Sequence, residues 1–500
     1  MKSRLTKAAA LLLSLLMLAG ALAACAEKTG ENGDTTAPGS NAIAGPDVTT
    51  EDPNAPKYDA DGYLISNLPD LNFNDETVTV FYWSDVEMKE YESDGPNGEI
   101  VNDAIFTRNS HVEGKLHVQL AWEKTPGNNG NKQSFASAVG NVYKSGDHTY
   151  DLISAYSRTT AICAENGYCA ELTSLPYLDF SNPWWPEELV SVVSIDNKVY
   201  FASGDASINV LHFMYGVYYN KDIIANKNLP NPVELVDSNQ WTIDKMIEMC
   251  EGLYEDKNQD NIKDKDDGYG LTTTNFHIDA FYTGSGLRLV EQDPDKILVI
   301  SEDFWSEKAD TLCTKLGDWF KTQDAFMGSG YEDNFVAGNT LFSNNRCYLA
   351  DRKLGNVSFK FGIVPTPKYD ADQENFISVV GNPFSLYAIF TNTNDRERAA
   401  AVLECWASEA YRTTTPAQYE LNMKARYSEE NDDSRMYTII KSTVCFDIGR
   451  LFNPEINDIT DIYFKAVESG QSWAAQTKKN SRTLPPLIAG IVENFKKIEG

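Results

Sequence analysis

The pattern of apolar and polar positions divides the chain into three stretches. Ala8 to Ala24 is apolar but for Ser14 and Gly20; it follows Lys2, Arg4 and Lys7 and ends on Leu22-Ala23-Ala24-Cys25. Residues 26 to about 60 are poor in large apolar side chains and rich in Gly, Pro, Thr, Asp and Glu. From Thr77 onward the pattern alternates between periods. Thr77–Trp83 predicts a strand, 101–116 a helix with Val101, Ala104, Ile105, Val112 and Leu116 near helical spacing, and Val118–Trp122 a second strand. Residues 134–144 read as helix and Tyr150–Ala155 as a third strand. Further on, Lys198–Asp205 predicts a strand closing on a Gly-Asp turn, and Val217–Asp222 a strand turning into a helix. Thr242 is placed to cap the helix that follows Trp241, while Phe335–Asn339 and Phe361–Pro367 mark strand edges. An amphipathic helix is expected over 396–411 and another over 485–499. Strands alternating with helices imply βαβ units and a mainly parallel sheet.

A charged start, a short apolar core and small residues before a cut describe a secretory leader. The run falls short of the ~20 apolar residues that span a bilayer with margin. Leu22-Ala-Ala-Cys25 resembles the lipobox of bacterial lipoproteins, in which Cys25 carries the lipid and becomes the first mature residue. Two acyl chains give durable attachment where one does not. The competing readings are a plain leader with an incidental Cys, or an uncleaved anchor. The polar segment behind Cys25 cannot bury enough surface to offset its ordering entropy, so it reads as a disordered tether.

The remaining length of about 440 residues exceeds one core and suggests two lobes. A formal net charge of −30 argues against nucleic acid and against an anionic membrane surface as partners. With 11% aromatic residues, such acidity favours uncharged or cationic ligands and leaves flat surfaces for stacking. The eight Cys show no C-x-x-C or zinc-like spacing; Cys163 and Cys169 are close enough to bridge a loop or to sit as buried thiols.

The order of Tyr150-Asp-Leu-Ile153, Asn197-Lys-Val-Tyr200, Tyr219-Asn-Lys-Asp222, Trp241-Thr242, Tyr269-Gly-Leu271, Phe361–Pro367 and the Arg396–Tyr411 helix resembles the bacterial extracellular solute-binding protein family 1. That group includes maltose- and oligosaccharide-binding proteins. The resemblance spans roughly residues 76 to 500 and implies an α/β, two-lobed periplasmic-binding-protein-like fold of type II, each lobe a mainly parallel sheet flanked by helices, with multiple hinge crossings. It implies a leader over 1–24 and a lipidated Cys25 with its tether over 25–70. The N-lobe would be 71–208 plus 373–415, and the C-lobe 209–372 plus 416–500. It further implies a monomeric, non-enzymatic receptor of an ABC importer, lipid-anchored on the extracytoplasmic face of the cell membrane. Such a receptor takes a small polar solute, a mono- or oligosaccharide above others, delivers it to the permease, and needs no catalytic cofactor.

The loop Asp256-Lys-Asn258-Gln-Asp260-Asn261-Ile262-Lys-Asp264-Lys-Asp266-Asp267 offers oxygen ligands at the spacing of an EF-hand, from Asp256, Asn258, Asp260, the Ile262 carbonyl, Asp264 and Asp267. Two departures stand out. Asn261 replaces the usual Gly, and Asp267 replaces the bidentate Glu. A structural Ca2+ is expected here, against the plainer reading of a solvated acidic turn.

Sugar sites combine a flat aromatic with carboxylates, amides and Arg, placed on loops at the carboxyl ends of parallel strands. That rule selects Trp83, Ser84 and Asp85 after the first strand, and Tyr156, Ser157 and Arg158 after the third. It also selects Asp205, Thr283 with Gly284 and Ser285, and Asn382 near the return crossing. Each has a plainer role: Trp83 as core, Asp205 as a turn former, and Trp184 and Trp185 as plugs beneath a loop. A secreted carbohydrate-active hydrolase or a surface adhesion lipoprotein is the alternative. No H-E-x-x-H, G-x-S-x-G or phosphate-loop motif appears, and His111-Val-Glu113 lacks the P-C-x-x-C of a deaminase.

Overall fold

The computed structural model describes residues 55–425 and 431–498. The leader, Cys25 and the tether as far as residue 54 lie outside the described residues. Part of the segment expected to be tether is structured: Lys57–Tyr58 pairs antiparallel with Leu64–Ile65. This small hairpin is held by Ser66, whose N–H donates to Ser408 Oγ at 3.0 Å, and by Tyr63 edge-on to Tyr411. Tyr63 and Leu64 supply its apolar contacts.

The first lobe runs β1 (Glu76–Trp83), α1 (Ile100–Leu116), β2 (Val118–Thr125), α2 (Lys132–Ser145), β3 (Leu152–Tyr156) and α3 (Ser157–Glu165). Val101, Ile105, Arg108, Val112 and Leu116 make the buried stripe of α1, at spacings of three and four. Glu99 caps that helix by accepting from the Val101 and Asn102 amides. The second lobe runs β4 (Tyr215–Asn220), α4 (Ile243–Cys250), β5 (Tyr269–Thr273), α5 (Asp279–Gly284), β6 (Ala325–Met327), β7 (Thr340–Arg346) and β8 (Phe361–Val364). The chain then supplies β9 (Ser385–Ile389), α6 (Arg396–Arg412), α7 (Ile459–Ser469) and α8 (Leu484–Lys496).

Two sheets result. The first has the order β9-β3-β1-β2, parallel except where β9 meets β3. The second has the order β6-β5-β7-β4-β8; β6 and β7 run parallel to β5, while β7 and β8 run antiparallel to β4. The chain therefore leaves the first sheet after β3 and rejoins it at β9, having built the second sheet in between. β3 is buried along its whole length because it lies between β1 and β9, which is why its sequence reads Leu-Ile-Ser-Ala-Tyr without a polar face. Glu90, fully buried, ties the departing and returning segments together. It accepts from Ser207 Oγ at 2.8 Å, from the Asn209 amide at 3.2 Å and from Ser385 Oγ, and burial pushes its carboxyl above the usual range.

Three expected elements differ. Lys198–Asp205 is irregular, making only isolated bridges from Lys198 to Ile195 and from Ala202 to Tyr387. Phe335 lies within a short helix over Tyr331–Val336, and Gly338 (φ +77°) turns the chain into β7. The α6 helix is not amphipathic in use, since Arg398 to Ala410 are all buried. Its small residues Ala399, Ala400 and Ala401 suit it to packing on every side. Within it Glu404 accepts the indole N–H of Trp185 at 2.8 Å and of Trp184 at 3.2 Å, which fixes both tryptophans in the interior. Cys163 and Cys169 are free buried thiols, and burial pushes Cys163 up to about 12. Among the described residues no helix is long and apolar enough to cross a membrane.

Candidate ligand-binding site

A cavity of about 300 Å³ opens between the two sheets. The first lobe contributes Tyr156 and Arg158 at the junction of β3 and α3, and Asn129 from the loop after β2. The second contributes Tyr215, Asn275, Phe276, Asp279 and Arg346. Strand direction explains the latter group. Asn275 and Phe276 follow the carboxyl end of β5, and Arg346 ends β7, which runs parallel to it. Tyr215 starts the antiparallel β4 and is the register partner of Arg346, so all four share one edge. The returning segment adds Gly381, Asn382 and Pro383, and the C-terminal part adds Arg450, Thr460, Asp461 and Phe464.

Local bonds hold these pieces in place. Ser157 Oγ donates to the Asn382 carbonyl at 2.8 Å, tying α3 to the returning segment. Asp85 accepts from the Gly127 and Asn128 amides at 2.7 and 3.1 Å and from Asn131 Nδ2 at 3.0 Å, while Thr159 Oγ1 donates to the Gly127 carbonyl at 2.7 Å. The loop that carries Asn129 is thus clamped from both sides.

The charged groups are unevenly paired. Arg450 Nη1 meets Asp279 Oδ2 at 2.7 Å, and Arg158 Nε donates to the Arg450 carbonyl at 2.9 Å. Burial pushes the Asp279 carboxyl above its usual range even though Arg450 and Arg158 pull it down. Asp461 is paired with Lys465 at 3.1 Å on α7. Arg346 lies over the rings of Phe213 and Tyr348, at 4.9 and 4.7 Å from their centroids. Among the described residues neither Arg158 nor Arg346 forms an ion pair with a carboxylate. Phe276 is 47% exposed, unusual for so large an apolar side chain, and lines the cavity together with Asn129, Asn275 and Asn382.

Of the residues selected from sequence, Tyr156, Arg158 and Asn382 meet in this cavity. Trp83 does not: it is fully buried and donates to Tyr91 Oη at 2.8 Å and Ser385 Oγ at 2.9 Å, a core residue of β1. Ser84 is exposed, and Asp85 acts on the Asn129 loop from behind. Thr283 is buried one turn beyond Asp279 on α5, where Thr366 presses on the adjacent Gly284, so that part of the helix faces protein. Asp205 lines another cavity, of about 240 Å³, with Tyr411, Thr415 and Lys441; it shares no lining residue with the first. Burial pushes the Asp205 carboxyl up against the opposing pull of Lys441. The strand-end rule would have found Asn275, Phe276 and Arg346 had β5 and β7 been bounded correctly. Arg450 and Asp461 come from short C-terminal helices and carry no such signal.

In the acidic loop the side-chain oxygens serve the backbone. Asp256 accepts from the Asn261 amide at 2.9 Å, Asn258 from Asp260 at 3.1 Å, Asp260 from Ile262 at 2.8 Å and Asp264 from Asp266 at 2.8 Å. Asn261 takes the left-handed conformation (φ +59°) in place of the usual Gly. Asp267 is fully buried and accepts from Tyr254 Oη at 3.1 Å. Asp256 Oδ1 is screened from solvent without a hydrogen-bond partner. Among the described residues no three His, Cys, Asp or Glu side chains converge on a common point.

A two-sheet α/β body with a polar, aromatic-edged cavity between the sheets is the architecture of a solute-binding protein. The chain belongs to the bacterial extracellular solute-binding proteins, whose family model matches residues 136–418, more than half of the sequence. Members of this family work outside the cytoplasm. No curated protein matches the chain. Among solved structures, it is similar to the cyclic α-maltosyl-1,6-maltose binding protein from Arthrobacter globiformis, with 14% identity, TM-score 0.56, and 83% of this chain and 99% of that one covered. It is also similar to a cyclo/maltodextrin-binding protein complexed with maltotetraose, with 12% identity, TM-score 0.54 and coverage of 84% and 98%. The GacH receptor of Streptomyces glaucescens, solved unliganded and with acarbose, matches with 13% identity, TM-score 0.51 and coverage of 85% and 100%. At these identities the likeness is one of fold.

Proposed function

We propose that this protein is the capture subunit of an ABC importer and holds a mono- or oligosaccharide in the cavity between its two sheets. The observation that carries the reading is the exposed Phe276 in one cavity lining with Asn129, Asn275 and Asn382. A sugar ring offers an apolar face and a rim of hydroxyls, and this wall offers a flat ring with amide donors and acceptors around it. The sugar ligands named for the structures of similar fold support the same class. Bound solute would favour closure of the lobes about the segments that Glu90 ties, by as much as it prefers the closed state. The closed form would dock on the permease, with Cys25 lipidation holding the protein at the outer face of the membrane. Isothermal titration against a glycan panel, with the sugars assayed afterwards, tests this. Saturable one-to-one binding with sugar recovered intact is expected; turnover of any sugar would sink the reading in favour of a hydrolase.

The 256–267 loop is proposed as a structural calcium clip, on the strength of its ligand spacing, the left-handed Asn261 and the orphaned Asp256 Oδ1. Bound calcium would lift the melting temperature by mass action. An unchanged melting temperature in calcium and in chelator would return the loop to a solvated turn.

A further inference from the structure

We propose that the captured solute is an anionic sugar, one carrying a carboxylate or sulfate group that the Arg158 and Arg346 guanidiniums receive. The inference rests on the sugar reading above and names its chemical class. Three guanidiniums, those of Arg158, Arg346 and Arg450, line one cavity, against two carboxylates, Asp279 and Asp461. Both carboxylates are already committed, Asp279 to Arg450 and Asp461 to Lys465. Arg158 is only 9% exposed and uses Nε on a backbone carbonyl; its charge is felt by Asp279 and Glu455, but among the described residues no carboxylate closes on it as an ion pair. Arg346 Nε is screened from solvent without an acceptor; its guanidinium lies over the rings of Phe213 and Tyr348 and hydrogen-bonds the Tyr348 side chain, a neutral partner.

A buried guanidinium without a counter-charge is costly, and its planar fork of donors matches a carboxylate or sulfate. The local field points the same way from a second source. The α3 helix, nine residues long, starts at Ser157 with no side-chain cap, between the cavity-lining Tyr156 and Arg158, so its positive end adds to the potential there. A cationic pocket in a chain of net charge −30 reverses the ligand charge expected from composition. The surrounding acidity would itself repel an anion at long range, so the pocket must supply the attraction locally. Phe276 and the three Asn would hold the ring while the guanidiniums read its charge.

The test is a paired panel of neutral hexose mono- and disaccharides, each with its uronic-acid and its singly sulfated counterpart, titrated into the mature protein by calorimetry. At least one anionic sugar should bind one-to-one and at least tenfold more tightly than its neutral partner. The carboxylated and sulfated arms identify which anion the site takes. Arg158→Gln and Arg346→Gln should each erase that preference, bringing the anionic sugar's affinity down to or below that of its neutral partner in the same variant. Arg346→Lys should restore part of it, and circular dichroism checks that each variant is folded. Neutral sugars binding as tightly as their anionic counterparts would overturn the inference and leave the sugar reading standing. Anionic preference surviving in both folded Gln variants would also overturn it. Binding of no sugar in the panel would overturn both readings together.

Discussion

Arg450 Nη1 and Asp279 Oδ2 meet at 2.7 Å in the wall of the interlobe cavity, with neither side chain more than 10% exposed. The pair carries the rest of the site, since the Arg450 carbonyl accepts from Arg158 and Asp279 sits on α5 beside Phe276. Removing one partner leaves a buried charge uncompensated. Asp279→Leu or Arg450→Met alone should therefore cost about 3–5 kcal/mol in urea unfolding. The double variant should recover much of that loss, and a double variant as unstable as the sum of the singles would contradict the pairing.

Phe276 should separate binding from stability. Its side chain is half exposed and buries little, so Phe276→Ala should change unfolding by about 0.5 kcal/mol or less. Solute affinity should fall about tenfold, as expected for losing an aromatic platform worth about 1 kcal/mol beyond its area. Urea unfolding checks the first statement and titration calorimetry the second, each against the wild type.

Asp85 is expected to act at a distance. Asp85→Ala frees the Gly127 and Asn128 amides and the Asn131 side chain, loosening the loop that carries Asn129. Stopped-flow fluorescence should show faster solute release with association nearly unchanged. A variant with wild-type release would place Asp85 outside the site's support.

Glu404 predicts a pH dependence. Burial raises its carboxyl to about 7, against the pull of the Trp185, Asp179 and Asn182 donors. The folded state then holds a proton that the unfolded state releases near 4.5, so stability is full below that pH and declines as pH rises towards 7. The slope should not exceed roughly 1.4 kcal/mol per pH unit. Glu455, also raised to about 7 by burial, contributes in the same direction. The difference between wild type and Glu404→Gln, followed from pH 4.5 to 8, isolates Glu404; parallel curves would contradict the assignment.

The alternation of strand and helix, the βα junction at Tyr156-Ser157-Arg158 and the returning segment at Asn382 were all legible in the chain. Each is local: an apolar run stops and a polar residue begins. The errors have a common physical origin. Trp83 ends a strand as Tyr156 does, yet its indole is drawn inward by Tyr91 and Ser385, the latter 302 positions away. The Lys198–Asp205 run has strand composition but meets only one residue of β9, at the Ala202–Tyr387 bridge. Arg346 and Tyr215 face one another only because β4 runs against β7, a pairing of residues 131 apart that no local pattern encodes. Net charge carries less information about the ligand: it sums the whole surface, whereas a ligand meets a few groups in one cavity.

The most direct test of the account is a crystal structure of the protein with the tightest-binding sugar of the panel. The sugar is expected in the cavity between the sheets, with a ring stacked on Phe276 and its polar groups on Arg158, Arg346 and Asn382. Sugar lodged beside Asp205 in the other cavity, or on the outer surface, would contradict it.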